Sequence, residues 1–348
     1  METSRIDFKI LFGDYDKEIN IIVHSYPDPD AISSALGMHH YLAALGYKVG
    51  NIYYSGEVSH PQNMSMLNIL NLKMVDYEEK PFEEGSKAVL VDTNNIGPDS
   101  NQQSIDPKTV EIVAVVDHHK GRNPKGAKVD SRAVGACASI VWDYLNSISY
   151  DFSTEEGAVL ATALSTGIST DTDSLMSDNI ADLDFQAYQQ VIRHADRKSL
   201  NDIMRYPLPP YLFELRQRAF QEDNKRMEES TMVSGVGIIT PSKRDALPII
   251  ADEFLRMTGV TTSVVFAIVR DEKDEYIDIS IRSKNQTIDV GQFLQRTFSA
   301  GGGKKGAGRA AIQLGFFSMD MDPEHNKKVW GLVDEIVHRK IFANIKGE

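Results

Sequence analysis

Residues 115–121 read Val-Val-Asp-His-His-Lys-Gly, so three ionisable side chains in succession, Asp117, His118 and His119, close a run of β-branched residues. A strand this apolar is buried, and titratable groups at its end need partners. Comparable groups recur along the chain. His24, Asp28 and Asp30 share His-Ser-Tyr-Pro-Asp-Pro-Asp, Asp92 ends Lys-Ala-Val-Leu-Val-Asp, and Asp171 and Asp173 lie in Ser-Thr-Gly-Ile-Ser-Thr-Asp-Thr-Asp. Taken singly, each reads as a turn former or helix cap. Together, carboxylates and neutral imidazoles suit divalent ions, Mn²⁺ first, with Mg²⁺, Fe²⁺, Co²⁺ or Zn²⁺ also accommodated. Five or six such ligands exceed what one catalytic metal with open positions uses. Two metals sharing a bridging carboxylate is the economical reading, and such pairs, about 3.5–4 Å apart, clamp a phosphoryl group and activate a bridging water.

Parallel strands are the elements that can bring these residues together. Residues 19–25, 47–56, 87–95 and 111–120 are short apolar runs, and helical stretches fall between or after them: 31–45, stopped by Gly46; a segment opening at Ser153 with Glu156 three residues on as a capping box; and 182–194. The alternation predicts an α/β fold with an N-terminal doubly wound, mainly parallel sheet, whose strand carboxyl ends form a ligand crevice. Pro27 and Pro29 narrow the freedom of the first loop and reduce the entropy lost on metal binding. The polar, proline-bearing stretch 195–210 and the amphipathic run to about Glu229 read as a connection. A second strand-and-helix pattern begins near Thr231. The expected domains are 1–195, a catalytic metal-binding domain; 196–230, a linker and connecting helix; and 231–348, a smaller α/β domain that binds substrate across a cleft.

At these residues the sequence resembles the RecJ-related DHH phosphoesterase superfamily. The matching motifs are HSYPDPDA (24–31), VLVDTNN (89–95), VVDHHKG (115–121) and GISTDTD (167–173). ISIRS (279–283) and GGGKKGAG (301–308) resemble its accompanying DHHA1 domain. The resemblance implies that His24 and Asp28 hold one metal, that Asp92 bridges to the second, and that Asp30, His118 and Asp171 complete the second site. It also implies that His119 faces the substrate phosphate as a catalytic residue, oriented by Asp117. Substrate contacts fall to Arg282 and Ser283, to Gly301, Gly302 and Gly303 as a loop whose N–H groups approach a phosphate, and to Lys304 and Lys305, with Arg309 as a further phosphate contact. The two lysines stand where oligoribonuclease-like members carry histidine. They keep a phosphate donor and lose imidazole's stacking. The fourth motif often has a small residue where this chain has Asp173, which reads as structural.

Composition sets the remaining bounds. The 348 residues are 41% hydrophobic and 25% charged, with a formal net charge of −13 and a single cysteine, Cys137. One cysteine excludes an intrachain disulfide and fits a reducing, cytoplasmic setting. No apolar run is long enough for a membrane helix. An acidic chain is a poor ligand for long duplex nucleic acid, whose binding is dominated by neutralised phosphates. A short oligonucleotide or nucleotide remains open, because metals reverse the charge of an acidic pocket. The expected activity is hydrolysis of dinucleotides to nucleoside monophosphates. The alternatives are a 3′-phosphoadenosine 5′-phosphate phosphatase, a polyphosphatase or pyrophosphatase, and a nucleotide-binding sensor without turnover. A homodimer suits this kind of fold.

Overall fold

The apolar runs of the N-terminal half become strands laid side by side: β1 (Ile19–Ile22), β2 (Val49–Tyr54), β3 (Val75–Asp76), β4 (Ser86–Val91), β5 (Val110–Asp117) and β6 (Lys128–Ser131). The computed structural model describes residues 5–345 except 57, 59, 78, 81, 84, 95–109, 271–274, 286, 305 and 316–322. Among the described residues, these strands form one six-stranded, wholly parallel sheet in the order β3-β2-β1-β4-β5-β6. The order reverses between β1 and β4. Successive connections leave β1 in opposite directions there, so a crevice opens beyond the strand ends.

The helices that cover this sheet are α1 (Phe8–Phe12), α2 (Pro29–Ala44), α3 (Pro61–Ile69), α4 (Cys137–Ser147), α5 (Glu155–Asp171), α6 (Asp182–Val191) and α7 (Arg197–Met204). Ile21, Val89, Val91 and Val116 pack against Ala35, Met38 and Leu42 of α2, Ile140 of α4 and Leu164 of α5. Ile22, Leu90 and Val115 face the opposite way, onto Tyr53 and Phe82. Both faces are buried, which is why these strands read as continuous apolar runs rather than alternating ones. Gly167 permits the closest helix contact: a methyl group there would collide with Ser33 Oγ and lie 3.0 Å from the Pro29 carbonyl. α5 therefore lies directly on the first turn of α2. The helix that carries Asp171 starts one residue later than its sequence suggests. Thr154, not Ser153, accepts the Gly157 N–H, while the Ser153 hydroxyl donates to Asp151 instead.

The chain divides between Pro207 and Leu208 into two units. The second contains α8 (Pro210–Phe220), β7 (Lys225–Glu228), β8 (Thr231–Ile239), α9 (Ala246–Phe254), β9 (Thr262–Arg270), β10 (Glu275–Ser283), α10 (Val290–Phe298), β11 (Gly302–Lys304), β12 (Ala307–Gln313) and α11 (Pro323–Ile345). Among the described residues its strands form a mixed six-stranded sheet, β11-β12-β10-β9-β8-β7, in which β8 and β9 are parallel and the other neighbours antiparallel. β9 shows why two faces are covered. Val264, Phe266 and Ile268 join Phe293, Val333 and Ile341, whereas Val265, Ala267 and Val269 join Leu212, Ile250 and Phe254.

The amphipathic run to Glu229 is not one helix. α8 ends at Phe220, and residues 225–228 fold back on β8 through a turn in which Glu229 has φ 52°. Within 196–230, then, α7 belongs to the first unit, and α8 and β7 to the second. No helix among the described residues is long and apolar enough to cross a membrane.

Candidate metal centre

His24 leaves the end of β1 and Asp92 the end of β4, so the two stand on either side of the sheet's reversal point. Asp28 caps α2, accepting the Ala31 N–H, with Pro29 at the first helical position. Asp30 follows inside the first turn. The Pro-Asp-Pro loop between them is held from outside, as Asn63 Nδ2 donates to the Pro27 carbonyl at 2.9 Å. Asp171 ends α5, a place where the helix dipole disfavours a carboxylate. A cation nearby removes that penalty.

These residues converge as sets of potential ligand atoms: His24 with Asp28 and Asp92; Asp30 with His118 and Asp171; and Asp92 with His118 and His119. Asp92 joins the sets. One of its oxygens, Oδ2, is 3.5 Å from His24 Nε2, and the other, Oδ1, is 3.3 Å from His118 Nε2. His118 Nε2 also lies 3.4 Å from Asp171 Oδ2 and 3.8 Å from Asp30 Oδ2, and His24 Nε2 is 3.8 Å from Asp28 Oδ1. To aim its carboxylate this way Asp92 adopts φ 55°, a left-handed conformation costing on the order of 1–2 kcal/mol for a residue with a side chain.

Both inward imidazoles are fixed from behind. His24 Nδ1 is 2.8 Å from the Ser25 carbonyl and His118 Nδ1 is 3.2 Å from that of Val134. A carbonyl only accepts, so each Nδ1 carries a proton and each Nε2 can offer a lone pair to a metal. Sequence reasoning missed these holders. The Val134 loop is anchored in turn by buried Asp184, which accepts the Gly135 and Ala136 N–H groups and the Ser139 hydroxyl. In the sequence Asp184 signals only a helix start. Asp117 is buried and accepts both the His118 backbone N–H and, at 2.9 Å, His119 Nδ1. That leaves the outer nitrogen of His119, a side chain 48% exposed, facing away from Asp117.

The charge balance favours cations at this centre. Asp28, Asp30, Asp92 and Asp171 total −4 when the imidazoles are neutral, which two divalent ions would cancel. In their absence protons are retained. Burial alone would depress His24, but Asp28 and Asp92 hold it well above its usual value. Burial likewise works against charged His118, yet Asp92, Asp30 and Asp171 push it up to about 10. Burial raises Asp30 well above the carboxylate range, with the charges of Asp92 and Asp171 adding to it. The N–H groups of Cys137 and Ala138, at 2.7 and 2.8 Å, pull the other way. Asp92 also suffers burial, but His118 and His24 keep it below its ordinary value. Despite their separation of 3.3 Å, Asp92 Oδ1 and His118 Nε2 make no hydrogen bond and are buried. A divalent ion would satisfy both. The donor set fits a pair of hard or borderline divalent ions. Buried Cys137, whose thiol burial pushes up, belongs to none of the ligand sets. Neither does exposed Asp173, at φ 48°.

The expected substrate residues lie in the second unit and are engaged locally. Arg282 pairs with Asp252 at 3.1 Å, and Ser283 Oγ is 2.9 Å from Thr262 Oγ1. Arg309, expected to be a phosphate contact, instead grips buried Asp278 with two nitrogens. Gly302 and Gly303 belong to strand β11 rather than to an open loop, and Gly301 precedes it at φ 92°. A side chain at Gly303 would strike the backbone of β12, so close strand packing explains that glycine. Lys304 ends β11; its side chain and the whole of Lys305 lie outside the described residues.

Residues 18–168 match the model of the DHH family, N-terminal domain. An uncharacterized protein of Methanocaldococcus jannaschii is 33% identical over 327 residues, covering 93% of this chain and 63% of the relative, so the chain spans less than two-thirds of that protein's length. Among solved structures, an exopolyphosphatase-related protein from Bacteroides fragilis shares the fold, with a TM-score of 0.67, 17% identity and 94% of each chain covered.

Proposed function

We propose that this chain, whose residues 18–168 match the N-terminal domain of the DHH family, is a metal-dependent phosphodiesterase that hydrolyses very short oligonucleotides, dinucleotides above all, to nucleoside monophosphates. The observation that carries the metal-dependent reading is Asp92, whose two oxygens face two different imidazoles, each backed by a carbonyl and flanked by further carboxylates. When bound, two divalent ions, Mn²⁺ by preference, would supply Lewis acidity at the phosphoryl oxygens and make water nucleophilic near neutral pH. His24, Asp28 and Asp92 would hold one, and Asp92, Asp30, His118 and Asp171 the other.

The chain's own residues do the rest. Asp117 fixes the His119 ring by accepting its Nδ1 proton, so the other ring nitrogen can donate to a phosphate oxygen as charge builds there. The loop after His119 presents Lys120, Arg122 and Lys125 to solvent, cations that favour an anionic substrate on an otherwise acidic protein. Scarcity of basic surface favours a substrate of few phosphates over a long strand.

The test is turnover of a 5′-phosphorylated RNA dinucleotide with Mn²⁺, run beside 3′-phosphoadenosine 5′-phosphate, polyphosphate and an RNA 24-mer, a control about ten times longer than the pocket class admits. Cleavage of the dinucleotide, abolished by Asp92→Ala, supports the proposal. Activity confined to polyphosphate or to the bisphosphate would replace it with that activity. Binding without turnover of anything would leave a sensor.

A further inference from the structure

Thr172 directly follows Asp171 at the end of α5 and is fully buried. Its hydroxyl donates to the Ile168 carbonyl one turn back and accepts the Leu175 N–H at 3.0 Å, and its carbonyl accepts the N–H groups of Met176 and Ser177. What it anchors is strained. Asp173, Ser174 and Leu175 have φ of 48°, 58° and 64°, three successive left-handed residues with side chains, where a helix end ordinarily uses one, commonly glycine. The Ser174 N–H reaches back to the Ser169 carbonyl at 2.7 Å, so the turn closes over the last turn of α5. Strain beside a reactive centre points to a positional demand there. The Thr172 methyl answers it. A Cβ at Gly135 would come within 2.6 Å of Thr172 Cγ2. Gly135 has no left-handed backbone to account for it; it is glycine because Thr172 and Asp184 fill the space a side chain would take. Gly135 follows Val134, whose carbonyl stands 3.2 Å from His118 Nδ1 and turns that ring inward. Capping α5 needs the hydroxyl alone, whereas the methyl joins α5 to the loop before α4. The contact therefore links the residue after Asp171 to the residue after the holder of His118, and Asp171 Oδ2 and His118 Nε2 are 3.4 Å apart.

We propose that Thr172 is a positioning residue of the metal centre, a spacer whose methyl contact with Gly135 sets Asp171 and His118 at the separation from which both reach one ion. That ion is the one Asp30, His118 and Asp171 would hold with Asp92, and the inference rests on the paired-metal reading for its existence. The other ion, with His24 and Asp28, meets the opposite oxygen of Asp92, and its ligands owe nothing to this contact. A packed interior transmits a lost methyl as a shift of the groups around it. Groups that orient metal ligands typically change metal affinity by about 10–100-fold when altered.

Calorimetric titration of the full chain with Mn²⁺ tests this, with Asp171→Asn marking which binding event belongs to that ion. Thr172→Ser keeps the hydroxyl and the turn but removes the methyl. It should weaken that ion about tenfold and leave the other unchanged. Gly135→Ala overfills the contact and should weaken the same ion. The double variant Thr172→Ser/Gly135→Ala moves the methyl from one side of the contact to the other, so it should recover much of the loss. A merely structural role would lower the melting temperature and weaken both ions together, and that result overturns the proposal. So does unchanged affinity in Thr172→Ser, or a double variant that binds no better than Thr172→Ser. A wild type that binds fewer than two ions ends the paired-metal reading and the positioning role together. Two ions in the wild type with no selective loss in Thr172→Ser ends the positioning role alone.

Discussion

Two buried clusters of charge, one in each unit, look alike in composition and differ in balance. In the second unit Asp278 is fully buried, but Arg309 binds it with two nitrogens and Arg244 approaches within 3.4 Å. Asp245 adds to the same group, 3.4 Å from Arg309, and the guanidinium is held above its normal pKa after burial has been overcome. In the first unit Asp92 is as deeply placed, yet its neighbours are more carboxylates and two imidazoles whose Nδ1 atoms are turned outward to carbonyls. A neutralised cluster fastens strands together. A cluster left with excess negative charge and unbonded ligand atoms is a place prepared for a cation.

Breaking each cluster in turn should expose that difference. The largest effect is expected from Asp92→Ala. Turnover should fall below detection and calorimetry should no longer find two metal ions per chain, with the fold retained by circular dichroism; two-ion binding by the variant would refute the bridging role. Arg309→Ala should do the opposite. It leaves Asp278 buried without its main partner and should lower stability by about 3–5 kcal/mol in denaturant titration, with metal stoichiometry unchanged. Loss of metal binding in a folded Arg309→Ala protein would end the contrast between the clusters. Asp117→Asn should cost about 10–100-fold in turnover, acting through His119 orientation, with a smaller change in metal affinity. An unaltered rate would show that His119 needs no such support.

The smallest effect concerns pH. His118 has a folded pKa of about 10 against 6.5 unperturbed, so its ion pairs contribute stability that is complete below 6.5 and lost as pH rises through about 10. Raised Asp30 works in the same direction. The metal-free protein should therefore show a falling melting temperature over that range. Saturating Mn²⁺ should flatten the trend, and metal uptake at neutral pH should release protons, seen as a buffer-dependent binding enthalpy. A metal-free melting temperature that rises with pH would contradict the assignment.

Much of this was written locally. Hydrophobic runs announce buried parallel strands because a strand covered on both faces has no polar side. His24, Asp28, Asp30, Asp92, His118 and Asp171 could be picked out because ionisable residues at the ends of such strands are chemically conspicuous. The second unit was less legible. Gly302 and Gly303 in a run of three resemble a loop, and only pairing with β12 makes them a strand. The break after Phe220 was hidden too, since residues 225–228 become a strand by hydrogen-bonding to β8 rather than through any propensity of their own.

By itself the sequence determined which chemistry the chain carries: donor types, their spacing along each strand end, and an acidic balance that favours small anionic substrates. Tertiary structure alone decided how those donors are used. It set the reversal at β1 and β4, the close α2–α5 contact at Gly167 that brings Asp171 to Asp30, and the carbonyls that turn His24 and His118 inward. It also paired Arg309 with Asp278 and seated Thr172 against Gly135. The physical reason is range. A side chain's chemistry is fixed by its own atoms, whereas its protonation, direction and free valence depend on groups up to a hundred or more residues away, as Asp30 and Cys137 are.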